Sequence, residues 1–118
     1  MINSNYLLVS ILLFISMNAY AVPPNAHATA NGWGCESSTP TTKYVAKIET
    51  TENGRVSVEI QGIDSLANTK HFILEPQDSS GNPLLKASVG STTVYQWECG
   101  SDDANVIGWL PGSCGHKF

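Results

Sequence analysis

The sequence predicts a mainly β domain: a four-stranded antiparallel sheet followed by a C-terminal loop. Three observations predict it. Segments between Lys43 and Cys99 alternate apolar and polar residues with a period of two, the mark of half-buried strands. An Asn53-Gly54 pair separates two of these segments, and both residues tolerate the positive φ that a tight hairpin needs. Charged residues make up only 14% of the chain, while Ser, Thr, Asn and Gly are abundant, a composition of short strands and turns. A length of 118 residues allows one domain and little more.

Met1 to Asn5 is polar, and Tyr6 to Met17 is an apolar run too short to span a bilayer comfortably. Ala19-Tyr20-Ala21 fits the small-x-small rule for signal peptidase, and Val22-Pro23-Pro24 breaks any helix behind it. Residues 1–21 are therefore expected to be a cleaved export signal and the protein to be periplasmic, at the cell surface or secreted. A cut after Ala28 and retention as an N-terminal anchor are the alternatives. Residues 22–32, with two prolines and no periodicity, read as a flexible leader, and residues 33–118 as the globular domain.

From Lys43 the first strand places Tyr44, Ala46 and Ile48 on one face and Lys47 and Glu49 on the other, with Val45 out of phase. Beyond the Asn53-Gly54 turn, Val56, Val58 and Ile60 alternate with Arg55, Ser57, Glu59 and Gln61. Lys70 to Glu75 is the third strand, with Phe72 and Leu74 inward and Pro76 expected to stop it. Ser79-Ser80-Gly81-Asn82 is a turn, after which Leu84-Leu85 is a candidate satellite of the core. Thr92 to Cys99 is the fourth strand, Tyr95, Trp97 and Cys99 sharing a face. No segment after Val22 shows a 3.6-residue period. A lone sheet of this size has little to cover its inner face, so part of that face is expected to stay exposed.

An exported chain oxidises its cysteines, and Cys35, Cys99 and Cys114 are an odd number, so one thiol is left over. Trp97-Glu98-Cys99, a loop, and then Trp109-Leu110-Pro111-Gly112-Ser113-Cys114 resemble the W-x-C and aromatic-Leu-Pro-x-x-Cys of type IVa pilins. Thr42-Lys43-Tyr44-Val45 is similar to the opening of their first strand. The resemblance covers Trp33 to Cys114. It implies an α+β family fold, here the pilin headgroup sheet, without the Gly-Phe processing site, the early Glu or the long N-terminal helix that builds a filament. It also implies a Cys99–Cys114 disulfide, worth about 3 kcal/mol through the unfolded state for a loop of this size. In that family the enclosed loop is implicated in subunit contacts and adhesion. Gly100, Ser101, Asp102, Asp103, Asn105, Trp109, Leu110 and Pro111 are therefore the candidate recognition loop. Cys35 is then a buried or idle thiol, one that links two copies, or one that takes one of the other two cysteines as partner.

The net charge of −4 argues against nucleic acid and anionic membrane as partners. A membrane is expected only through an N-terminal segment that is kept. His27, His71 and His116 are scattered, and no zinc spacing, phosphate loop or nucleophile motif is present, so neither metal, cofactor nor enzymatic activity is expected. Asp102-Asp103 reads as two carboxylates pointing apart into solvent. Trp97 reads as core, and Trp33 and Trp109 as lids or exposed anchors. The expected function is pilus-associated recognition or adhesion, with pilin subunits or a protein or glycan receptor on a surface as partner. The alternatives are a secreted or periplasmic binding or inhibitor module, and a pilin remnant with no active role.

Overall fold

The Asn53-Gly54 pair sets the first turn. Gly54 takes φ +84°, and its N–H donates to the Thr51 carbonyl at 2.9 Å. The chain thereby reverses between β1 (Val45–Thr50) and β2 (Val56–Ile60). The computed structural model describes residues 28–89 and 91–118. The expected signal peptide, and the leader as far as residue 27, lie outside the described residues.

β3 (His71–Gln77) and β4 (Gln96–Ser101) continue the antiparallel meander, and β5 (His116–Lys117) adds a fifth strand parallel to β4. The sheet order is β1-β2-β3-β4-β5, so the expected four-stranded antiparallel sheet is corrected to a five-stranded mixed one. The Cys99–Cys114 disulfide, with Cα atoms 4.5 Å apart, ties the tail to β4 and brings His116 and Lys117 alongside it. Gly100 makes the approach possible, because a Cβ there would overlap the His116 carbonyl.

Three strands differ in detail from the sequence reading. A bulge between Val45 and Lys47 inserts Ala46, so Val45 faces inward with Ile48 and Thr50, and Tyr44 is only half-buried. The residue that looks out of phase is thus the correctly placed one. Pro76 does not end β3: it pairs with Trp97. Its carbonyl accepts from Leu84 N at 2.9 Å, while the Gln77 carbonyl accepts from Tyr95 N at 3.0 Å. The N and O of one strand residue point the same way, so the missing N–H faces the turn and costs no bond to β4. Tyr95 itself precedes β4 and is 69% exposed, not inward.

The inner face carries Val56, Val58 and Ile60 from β2, Phe72 and Leu74 from β3 and Cys99 from β4; Val58 and Phe72 are fully buried. Ala67, Val106 and Cys114 cover it, with Ile63, Trp109 and Leu110 packed behind them. Val106 belongs to α1 (Ala104–Trp109), a six-residue helix inside the disulfide loop that the sequence reading did not include. The outer face is mostly polar, with Ile73 buried in its middle. Lys47 lies 3.2 Å from Glu49 and 3.5 Å from Glu59, and Arg55 is paired with Glu75.

The outer edge of β1 is covered by the chain that precedes it. Ser37 N donates to the Ile48 carbonyl at 3.0 Å and Ile48 N to the Ser37 carbonyl at 2.8 Å. Asn31 N donates to the Thr50 carbonyl at 2.9 Å, and Asn31 Oδ1 accepts from Thr50 N at 2.9 Å. The leader expected over 22–32 is therefore bound to the sheet at Asn31.

Candidate functional site

The core covers one end of the inner face and leaves the other end open. Over Thr50, Val56, Pro76 and Trp97 lies a cleft of about 270 Å³. Trp33 and Cys35 form one wall, and Leu84, Leu85, Val89 and Val94 the other. None of its lining residues is charged, and Leu85 and Val89 stand exposed at the rim. The expectation that part of the inner face stays exposed holds here only at Trp97, which is half-buried; Thr50, Val56 and Pro76 beside it are buried. Leu84-Leu85 form the rim of the cleft rather than a satellite of the core.

Each wall is held by polar contacts that leave its apolar side chains facing the cleft. Glu36 accepts from Trp33 N and from Gly34 N, both at 2.7 Å, and takes the Thr50 hydroxyl as a further donor. Partial burial pushes the Glu36 carboxyl up; the Thr50 hydroxyl and those backbone amides outweigh it and hold it below the ordinary glutamate value. Trp33 Nε1 donates to the Thr51 carbonyl at 2.9 Å, which fixes the indole over the hairpin turn. Across the cleft, Lys86 N donates to Asn53 Oδ1 at 2.9 Å and Lys86 Nζ lies 3.0 Å from Glu52, latching the 84–89 segment to the same turn.

Cys35 is the unpaired cysteine, half-buried in the cleft wall. Burial, with the neighbouring Glu36 charge adding to it, pushes its thiol up to about 11, so it stays protonated at neutral pH and is a poor nucleophile. Among the described residues no group of three His, Cys, Asp or Glu side chains could hold a metal ion, and no helix is long and apolar enough to cross a membrane.

The disulfide-closed loop puts most of its candidate recognition residues to structural use. Gly100 and Ser101 are buried in β4. Ser101 Oγ donates to the His71 carbonyl at 2.6 Å and accepts from Asp103 N at 3.0 Å. Asp102 and Asp103 point apart as expected, but to separate protein partners and not simply into solvent. Asp102 accepts from His71 N at 3.0 Å and lies 2.7 Å from His71 Nδ1, and Lys117 Nζ reaches its carbonyl. Partial burial raises the Asp102 carboxyl; the His71 ring and amide outweigh it and hold it below the ordinary aspartate value. Asp103 caps α1, accepting from Asn105 N at 2.9 Å and Val106 N at 3.3 Å. Trp109 and Leu110 pack against the core, Pro111 is half-buried, and Asn105 is exposed. His71 is tied into this network, with Glu59 3.8 Å from its Nε2, whereas His116 rests edge-on against Phe118. His27 lies outside the described residues.

Sequence reasoning foresaw an exposed face but not the cleft, because its walls come from segments some fifty to sixty residues apart. The readable signal was Leu84, Leu85 and Val89, three large apolar residues in a stretch with no strand period, together with Val94, which is off the Tyr95–Trp97 face of the expected fourth strand. Comparison of the chain with family models, with curated proteins and with solved structures finds no match.

Proposed function

We propose that the protein is an exported, non-enzymatic recognition module related to type IV pilin heads, and that it captures an apolar helix or strand of a protein partner in the inner-face cleft. The observation that carries this reading is the uncharged cleft left open on the sheet between Trp33 and Val94. An apolar groove on a β-sheet is a surface that amphipathic segments use to dock. The disulfide fits an oxidising compartment, and the sheet-then-loop order from Trp33 to Cys114 supports the pilin resemblance. Asn105 and the exposed side of α1 form a second contact surface beside the core.

The test is titration of purified pilin subunits, with and without their apolar helix, against the wild-type protein and V94K. Wild-type protein is expected to bind the helix-bearing subunits, and V94K, which places a charge in the cleft wall, to lose at least tenfold in affinity, about 1.4 kcal/mol. If the wild-type protein neither self-associates nor binds any subunit, the reading fails.

A further inference from the structure

The chain carries Asn-Gly twice, at Asn31-Gly32 and Asn53-Gly54, and each asparagine side chain ties one wall of the cleft to the β1–β2 hairpin. Asn31 Oδ1 accepts from Thr50 N at 2.9 Å on the Trp33 side, and Asn53 Oδ1 accepts from Lys86 N at 2.9 Å on the Leu85 side. Asn-Gly is also a pair open to self-modification, because asparagine is labile and glycine puts no side chain in the way of its own backbone nitrogen. The Gly54 nitrogen attacks the side-chain carbonyl carbon of Asn53. The N–Cγ bond forms, the Cγ–Nδ2 bond breaks, and ammonia leaves with the proton that Gly54 gives up. Water then opens the ring at one carbonyl or the other, giving aspartate or isoaspartate.

The two pairs are not equivalent. Asn31 is pinned to Thr50 through its backbone N as well as its Oδ1, along the edge of β1. Asn53 sits half-buried in the hairpin turn, and the Lys86 N–H already points at the oxygen on which negative charge builds during the attack. The Gly54 nitrogen must first leave the Thr51 carbonyl, 2.9 Å away, so the reaction waits on opening of the turn and is slow. We infer that Asn53 is a self-modification site through which the cleft ages open. Asn53 lines the cleft, so its conversion puts a charge into an uncharged lining. The isoaspartate form adds one atom to the main chain of the turn, moves the acceptor away from Lys86 N and releases the 84–89 wall. The inference rests on the turn and its latch, not on what the cleft captures.

The test is to age the purified protein at mildly alkaline pH. Peptide mass spectrometry that separates aspartate from isoaspartate follows the asparagines, and hydrogen exchange follows the Lys86 amide. Asn53 should convert ahead of Asn31, and ahead of Asn68 and Asn105, which no glycine follows. In the isoaspartate form the Lys86 amide should exchange about tenfold faster, as loss of its one acceptor implies. An Asn53 that stays intact or is overtaken by any of these overturns the inference, and so does isoaspartate formation that leaves Lys86 exchange unchanged. Two variants complete the test. Aged N53Q, whose longer side chain closes the ring far more slowly, should keep the Lys86 protection of its fresh sample. Fresh N53D, which has the charge without the longer turn, should be protected like fresh wild type. Loss in aged N53Q would trace the opening to another site, and loss in fresh N53D would trace it to charge alone; either overturns the inference.

Discussion

Gly100 shows how much one missing side chain can decide. The His116 backbone occupies the space a Cβ would need, so even alanine must displace the tail that forms β5. The G100A variant should lose roughly 1–3 kcal/mol of stability, read from the midpoint of chemical unfolding, as overpacking against backbone does. Asp102 gives a residue-scale prediction for acid. Its carboxyl titrates below the ordinary aspartate value, so its contribution is complete above that ordinary value and disappears as the pH falls through the lower folded one. Unfolding curves of wild type and D102N should differ at neutral pH and converge in strong acid. A difference that persists there would show that the carboxylate is not the source. Neither role was readable from the sequence. A glycine after a cysteine and an aspartate pair both look like loop chemistry until the tail and His71 are seen against them.

At the scale of elements, the β1–β2 hairpin was legible because every local signal agreed. Asn53-Gly54 sets the turn, and Val56, Val58 and Ile60 keep strict alternation into the core. β1 was harder to read, since one inserted residue at the bulge reverses the inward parity and leaves Val45 looking misplaced. α1 has six residues, too few for a 3.6-residue period to declare itself, although Asp103 three positions before Val106 is an N-cap signature. The D103A variant should cost about 1 kcal/mol of stability through the lost cap, with helix content measured alongside. Replacing Cys99 and Cys114 together by serine should cost about 3 kcal/mol, chiefly by freeing the unfolded chain. The variant should keep its β1–β2–β3 hydrogen-exchange protection while losing that of α1 and β5. Uniform loss would mean that the disulfide holds the whole sheet and not only its C-terminal closure.

For the whole molecule, the arrangement that matters is a core at one end of a sheet and an open face at the other. Burial is complete where the disulfide loop folds over Phe72 and Val58; toward the other end Val56 is still buried, but Trp97 is only half-buried and the two flanking segments leave a cleft there. That asymmetry was half legible: counting apolar residues against the area of the sheet predicts exposure, but only the folded chain shows which end is left. β5 was not legible at all, because two residues carry no pattern and their pairing depends on where the disulfide delivers them. The guarded edge of β1 belongs to the same scale. Strand edges left bare recruit other strands, and here Ser37 occupies the Ile48 backbone groups that would do so. The S37P variant, unable to donate from its backbone, should self-associate at concentrations where wild type stays monomeric, as light scattering would report.

The stretch from Asn31 to Ser37 thus does two jobs with one set of bonds: it shields the rim of the first strand and it walls the apolar cleft. It is followed by exposed chain at residues 38–43. A protease that nicked this exposed stretch would cut the guard's covalent link to the first strand and leave it held by hydrogen bonds alone, and its departure would bare a sticky ribbon and a greasy hollow together. Clumping would then begin from a molecule whose disulfide and buried centre were still whole.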